Sequence, residues 1–141
     1  MYQKLIIVGN LGRDPEMRYT PSGQAVTNFS VATNRRYIGS SGEHVDETVW
    51  FKVSVWGKQA ENCNQYLAKG RKVLVEGRLT IDPATGGPRI WTGQDGQPRA
   101  SFEISAVTVQ FLSGKGDDEA YPEGGGSGGE HMPEGEDDIP F

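Results

Sequence analysis

Chemistry-bearing residues are scarce in this chain. One cysteine, Cys63, and two histidines, His44 and His131, stand among 141 residues. A single thiol excludes an intrachain disulfide framework and fits a reducing cytosol. The acids are scattered and neither histidine has a partner at a useful spacing. No acid–base pair, nucleophile–base pair or metal-ligand cluster emerges, and no glycine loop with a following lysine cradles a phosphate. The expectation is a protein that is not an enzyme and needs neither metal nor cofactor. Apolar runs are short as well: residues 5–8 are among the longest, far from membrane-spanning length. The start lacks a charged segment leading into a long apolar one, so no export is expected and the protein reads as cytoplasmic, without a membrane partner. Helical patterning is confined to one segment, and no basic amphipathic helix offers itself to a DNA major groove.

Positive charge is in the minority, with a net charge of -5, which by itself argues against a polyanionic partner. The distribution reverses that. Residues 1–113 carry 13 Lys and Arg against 10 Asp and Glu, whereas residues 114–141 carry 1 against 9. A mildly basic body is followed by an acidic tail. The body, 1–113, is long enough for one domain. The segment 114–141 is rich in glycine, acids and proline and reads as disordered. At its end Asp137, Asp138, Ile139, Pro140 and Phe141 form an apolar tip behind two acids. That pattern suits a short linear motif held out for a protein partner.

What the body does contain is strand patterning. Residues 5–8 form an apolar run closed by Gly9 and Asn10, and residues 17–20 and 25–33 read as further strands. Residues 38–46 are expected to be a loop. The segment 48–56 alternates: Val49, Phe51, Val53 and Val55 on one face, Thr48, Trp50, Lys52, Ser54 and Trp56 on the other. Residues 58–69 carry Ala60, Cys63 and Leu67 at helical spacing, and Gly70 is placed to end that helix. Strands are expected over 71–80 and 99–112, with a loop at 82–88 between them. In the last strand Phe102, Ile104 and Ala106 share one phase, and Val107, Val109 and Phe111 the other, so a bulge is expected. Short strands, glycine turns and one late helix point to an all-β fold, the five-stranded oligonucleotide-binding barrel.

The second face of 48–56 carries the functional signal. Two indoles flanking a lysine suit stacked nucleobases with a cation for phosphate. They equally suit rings packed under a neighbouring strand or subunit with the lysine reaching out. The residues alone leave both open. Arg35 and Arg36 lie beside Tyr37, Lys58 follows Trp56, and Arg89 precedes Trp91, repeating the pairing of cation and aromatic.

Taken together, residues 8–15, 18–23, 48–51, 57–70 and 75–77, with the tip 137–141, identify a resemblance. The chain resembles the bacterial single-stranded DNA-binding proteins of the homotetrameric type over residues 5–112 and the last five residues. The resemblance implies an oligonucleotide-binding barrel, a homotetramer, and binding of single-stranded DNA with little sequence preference. It implies stacking by Tyr37, Trp50, Trp56 and Trp91, and phosphate contacts by Lys52, Lys58, Arg35, Arg36 and Arg89. It also implies protection of single-stranded DNA, recruitment of replication, recombination and repair proteins through residues 137–141, and a nucleoid-associated place in the cytoplasm. Two positions depart from the commonest pattern. Tyr37 stands where many members have Trp, and Trp56 where many have Phe; both keep a π-face. The loop 82–88 is longer than in familiar members. The rival reading is an oligonucleotide-binding-like adaptor that docks proteins and has little DNA affinity.

Overall fold

Alternation in the strands sorts one side chain in two to the inside of a closed sheet. The computed structural model describes residues 1–112; the tail 114–141 and its tip lie outside the described residues. The elements run β1 (Leu5–Leu11), β2 (Glu16–Tyr19), β3 (Ala25–Ile38), β4 (His44–Trp56), α1 (Lys58–Tyr66), β5 (Lys72–Leu79), β6 (Ile90–Thr92), β7 (Pro98–Ala100) and β8 (Phe102–Phe111). The sheet order is β1-β5-β8-β4-β3, and pairing of β1 with β3 through Asn10 and Ala32 closes it. Five long strands thus form the barrel. The β4–β8 contact is parallel and the others are antiparallel. The short β2 extends the sheet beyond β3, and β6 and β7 form a separate hairpin.

The core is the inward set. Phe29 and Val31 of β3, Val53 and Val55 of β4, Val73 and Val75 of β5 and Ile104 of β8 are buried together. Helix α1 adds Ala60 and Cys63, and Leu67 follows just after it. Thr27 is the one buried polar residue among the described residues, and its hydroxyl donates to the Ala60 carbonyl at 2.6 Å, tying the helix to β3. Burial pushes the Cys63 thiol up to about 12, so it stays protonated and unreactive at neutral pH.

Three expectations are adjusted. The stretch 38–46 is mostly hairpin, because β3 and β4 stay paired out to Ile38 and His44 and only residues 39–43 turn. The helix ends at Tyr66, where extended Leu67 caps it with an N–H to the Cys63 carbonyl at 2.9 Å. Gly70, at φ 87°, instead serves the turn that Arg71 N–H closes on the Ala68 carbonyl. The expected bulge is present: Glu76 pairs with Thr108 and Gly77 with Ala106, so Val107 is the extra residue and faces outward.

Candidate nucleic-acid interface

Pairing across β2, β3, β4 and β8 lays the outward residues in rows, since directly opposed residues share a face. Arg18, Val26 and Trp56 form one row. Glu16, Asn28 and Ser54 form the next, with the Ser54 hydroxyl donating to Asn28 Oδ1 at 2.7 Å. Ser30, Lys52 and Glu103 follow, then Ala32 beside Trp50, then Asn34 beside Thr48. Both tryptophans are open to solvent, Trp50 at 52% and Trp56 at 39%. The Trp50 ring lies over Gly12, where a Cβ would run into it, and small Ala32 sits beside it on β3. The outward face of β4 therefore presents two indoles with Lys52 between them.

Two clefts run along this face. One, of about 410 Å³, holds Trp56, Lys52, Ser54, Arg13, Arg18 and Arg89. The other, of about 570 Å³, holds Trp50, Lys52, Gly12, Arg13 and Phe102. Arg13, Ser30 and Lys52 line both, so the two make one groove with an indole toward each end. Among the described residues, Arg13, Arg18 and Lys52 have no salt-bridge partner. The Lys52 ammonium stands 5.2 Å from the centroid of Trp91, which brings the β6 aromatic to the same groove. Arg89 is held in place: its Nε and Nη2 donate to one oxygen of Glu103 at 2.8 and 2.6 Å, and that carboxylate is only 15% exposed.

The remaining sequence candidates stand elsewhere. Tyr37 and Arg35 are on the alternate face of the β3–β4 hairpin, near its tip. The Arg35 guanidinium covers the Tyr37 ring at 4.6 Å, and the phenol donates to Glu47 at 3.0 Å, a bond that raises its pKa. Arg36 pairs with Asp46 at 2.9 Å, and Lys58 with Glu61 at 3.4 Å at the start of α1. The structure thus gathers Trp50, Lys52, Trp56, Arg89 and Trp91, and leaves Tyr37, Arg35, Arg36 and Lys58 apart from them. Residues 137–141 lie outside the described residues.

Sequence reasoning passed over Arg13 and Arg18. Arg18 carried a usable signal, because it alternates with Met17 and Tyr19 in a short strand. Arg13 carried none, since its place depends on how the turn after β1 folds over β3, with Gly12 N–H on the Ser30 carbonyl at 3.1 Å. Among the described residues no cluster of His, Cys, Asp and Glu is arranged to hold a metal, and no helix is long and apolar enough to cross a membrane.

Residues 2–112 match the model of a family described as the single-strand binding protein family. A single-stranded DNA-binding protein of Wolinella succinogenes is 44% identical over 124 residues, covering 88% of this chain and 72% of the relative. One of Helicobacter hepaticus is 42% identical over 123 residues, covering 86% and 68%. Among solved structures, a deletion mutant of the single-stranded DNA binding protein from Thermus aquaticus is similar with a TM-score of 0.62 and 30% identity. That likeness covers 80% of this chain and 51% of the other, so this chain spans about half of its length.

Proposed function

The chain belongs to the single-strand binding protein family, and from that membership we propose that it binds single-stranded DNA with little sequence preference. The relatives are named for binding DNA, and no reaction is assigned to this chain. The observation that carries the reading is the Trp50–Lys52–Trp56 face, whose rings are open in a groove where Arg13, Arg18 and Lys52 stand without a carboxylate partner among the described residues. Every base offers a π-face, so stacking holds a strand without reading it, while Lys52, Arg13 and Arg18 take the phosphates. Tyr37 is an outlying stacking residue in this reading, reached where the strand follows the β3–β4 hairpin beyond the groove.

Titration with oligo-dT, followed by tryptophan quenching at several salt concentrations, tests this. Affinity is expected to fall with salt at a slope of roughly -0.7 per phosphate neutralised on a single strand. Arg13→Ala, Arg18→Ala and Lys52→Ala each flatten the slope by about one such step, whereas Arg36→Ala and Lys58→Ala leave it nearly unchanged. Unchanged emission on adding oligo-dT favours the protein-docking adaptor over DNA binding.

The finer roles are part of the same proposal. The protein protects single-stranded DNA in the nucleoid as a homotetramer, and its tip 137–141 recruits replication, recombination and repair proteins. Exposed Ile6 and Val8 on the outward face of β1 are consistent with subunit contacts. An apolar tip behind Asp137 and Asp138 suits a partner's apolar cleft with a basic rim. Deleting 137–141 is expected to leave a tetramer by sedimentation, with DNA affinity equal or slightly higher, and to abolish retention of purified repair enzymes. A full-length chain sedimenting as a monomer refutes the assembly, and a deleted chain that retains those enzymes refutes the role of the tip.

A further inference from the structure

Phe102 shares its phase with Ile104, and its register partner Phe51 lies in the inward row with Val31. By alternation it belongs to the core, yet it is 61% exposed. The cause lies in the topology. Pairing of β5 with β8 begins only at Ile104, and that of β4 with β8 begins at Phe102 itself. At the very start of β8 the ring therefore has a strand on one side and open space on the other. It is nevertheless held, because Phe51 supports it at 5.9 Å between centroids with the planes tilted by 43°. Ala100 and Ser101, just before it, are too small to cover it.

The ring opens into the 570 Å³ cleft that also contains Trp50, Lys52, Gly12 and Arg13. That volume is within the roughly 300–1,000 Å³ range of small-molecule sites, and its aromatic and cationic lining suits a nucleobase with its phosphate. We propose that Phe102 is a further nucleobase-stacking surface, taking the base next to the one on Trp50 as the strand leaves the outward face of β4 for the barrel end. The inference rests on the single-stranded DNA reading above. The occupant is a base of the same strand, because the cleft is continuous with the Trp50–Lys52 groove and shares its cations. Phe102 thereby extends the stacking path beyond the four aromatics of the sequence reading and prolongs the length of oligonucleotide that one chain holds.

The test uses the full-length chain and oligo-dT at a salt concentration that suppresses the ionic part. Phe102→Leu keeps apolar bulk against Phe51 and removes the π-face. It is expected to weaken binding about 5- to 150-fold, the range of one stacked base, with an unchanged melting temperature, while Phe102→Tyr restores affinity. Phe102→Trp adds an indole whose emission is quenched by oligo-dT beyond the wild-type amplitude. Wild-type affinity in a folded Phe102→Leu chain overturns the proposal, as does a change in sedimentation without a change in affinity, which places the ring against a second copy. If Phe102→Leu fails to fold, Phe102→Trp decides, and absence of extra quenching overturns the proposal. Trp50→Ala separates the two levels: lost binding there with full binding in Phe102→Leu sinks only the Phe102 assignment. A wild-type chain that ignores oligo-dT sinks the whole groove.

Discussion

Replacing Trp50 with alanine is expected to weaken oligo-dT binding by about 1–3 kcal/mol, roughly 5- to 150-fold, and to leave the fold intact. The fold survives because the indole is on the outward face, half exposed, and its neighbours Gly12 and Ala32 are not core residues. No buried cavity opens when the ring is lost. Trp50→Phe, which keeps a smaller π-face, falls between the two. Trp56 stands six residues along β4, roughly 20 Å at about 3.3 Å per residue, so the two rings serve different bases. Their losses are then nearly additive, since well-separated sites act independently. A Trp50→Ala, Trp56→Ala chain is expected to lose about 2–6 kcal/mol of binding. The check is a titration of each variant beside a melting curve. Wild-type affinity in a well-folded Trp50→Ala chain refutes stacking by Trp50.

Arg36→Ala provides the contrast. Its side chain is exposed and already paired with Asp46 at 2.9 Å, away from the groove. An exposed pair of this kind is worth little in either direction, so the same titration should scarcely move.

The outward face of β4 was legible in the sequence because a strand has a period of two and its neighbours were unambiguous. Val49, Phe51, Val53 and Val55 identified the inward side, and Trp50, Lys52 and Trp56 followed. Tyr37 was not placed by that rule; its stacking role came from the resemblance alone. Proximity of Arg35, Arg36 and Tyr37 in sequence says nothing about which face each takes, and β3 carries Arg35 and Tyr37 on the face opposite Ala32. For Phe102 the phase was legible and the exposure was not, since alternation cannot show where a neighbouring strand begins. Arg13 and Arg89 depend on long-range closure, through the turn onto β3 and the carboxylate of Glu103 on β8. The bulge at Val107 was legible because two apolar phases in one strand require an extra residue. The helix end was not, because Ala60, Cys63 and Leu67 keep their spacing although Leu67 has already left the helix.

The barrel seam yields the largest expected effect on stability. Gly9 lies where β1 leaves β5 to meet β3, and a Cβ built there would collide with the Ala32 carbonyl and stand 2.8 Å from Val31 Cγ1. Among the described residues Gly9 is not one of those at positive φ, so its constraint is space and not backbone conformation. The obstructing atoms are main chain of β3, held between β1 and β4 by pairing on both sides, and they cannot swing away as a flexible side chain would. Gly9→Ala must therefore push β1 off β3 at the seam that joins them, through Asn10–Ala32 and Leu11–Val31. Overpacking of this kind typically costs about 1–3 kcal/mol and sometimes more, a large share of the 5–15 kcal/mol that holds a domain together. Gly87→Ala is the control: only the Thr85 hydroxyl lies within reach, at 3.6 Å, and trimming the freedom of the unfolded chain should leave that variant neutral or slightly more stable. Urea unfolding of the two variants beside the wild type reads the difference directly. A Gly9→Ala chain as stable as Gly87→Ala would mean that the β1–β3 seam is loose enough to absorb a methyl group, and the closed barrel would then not depend on that contact.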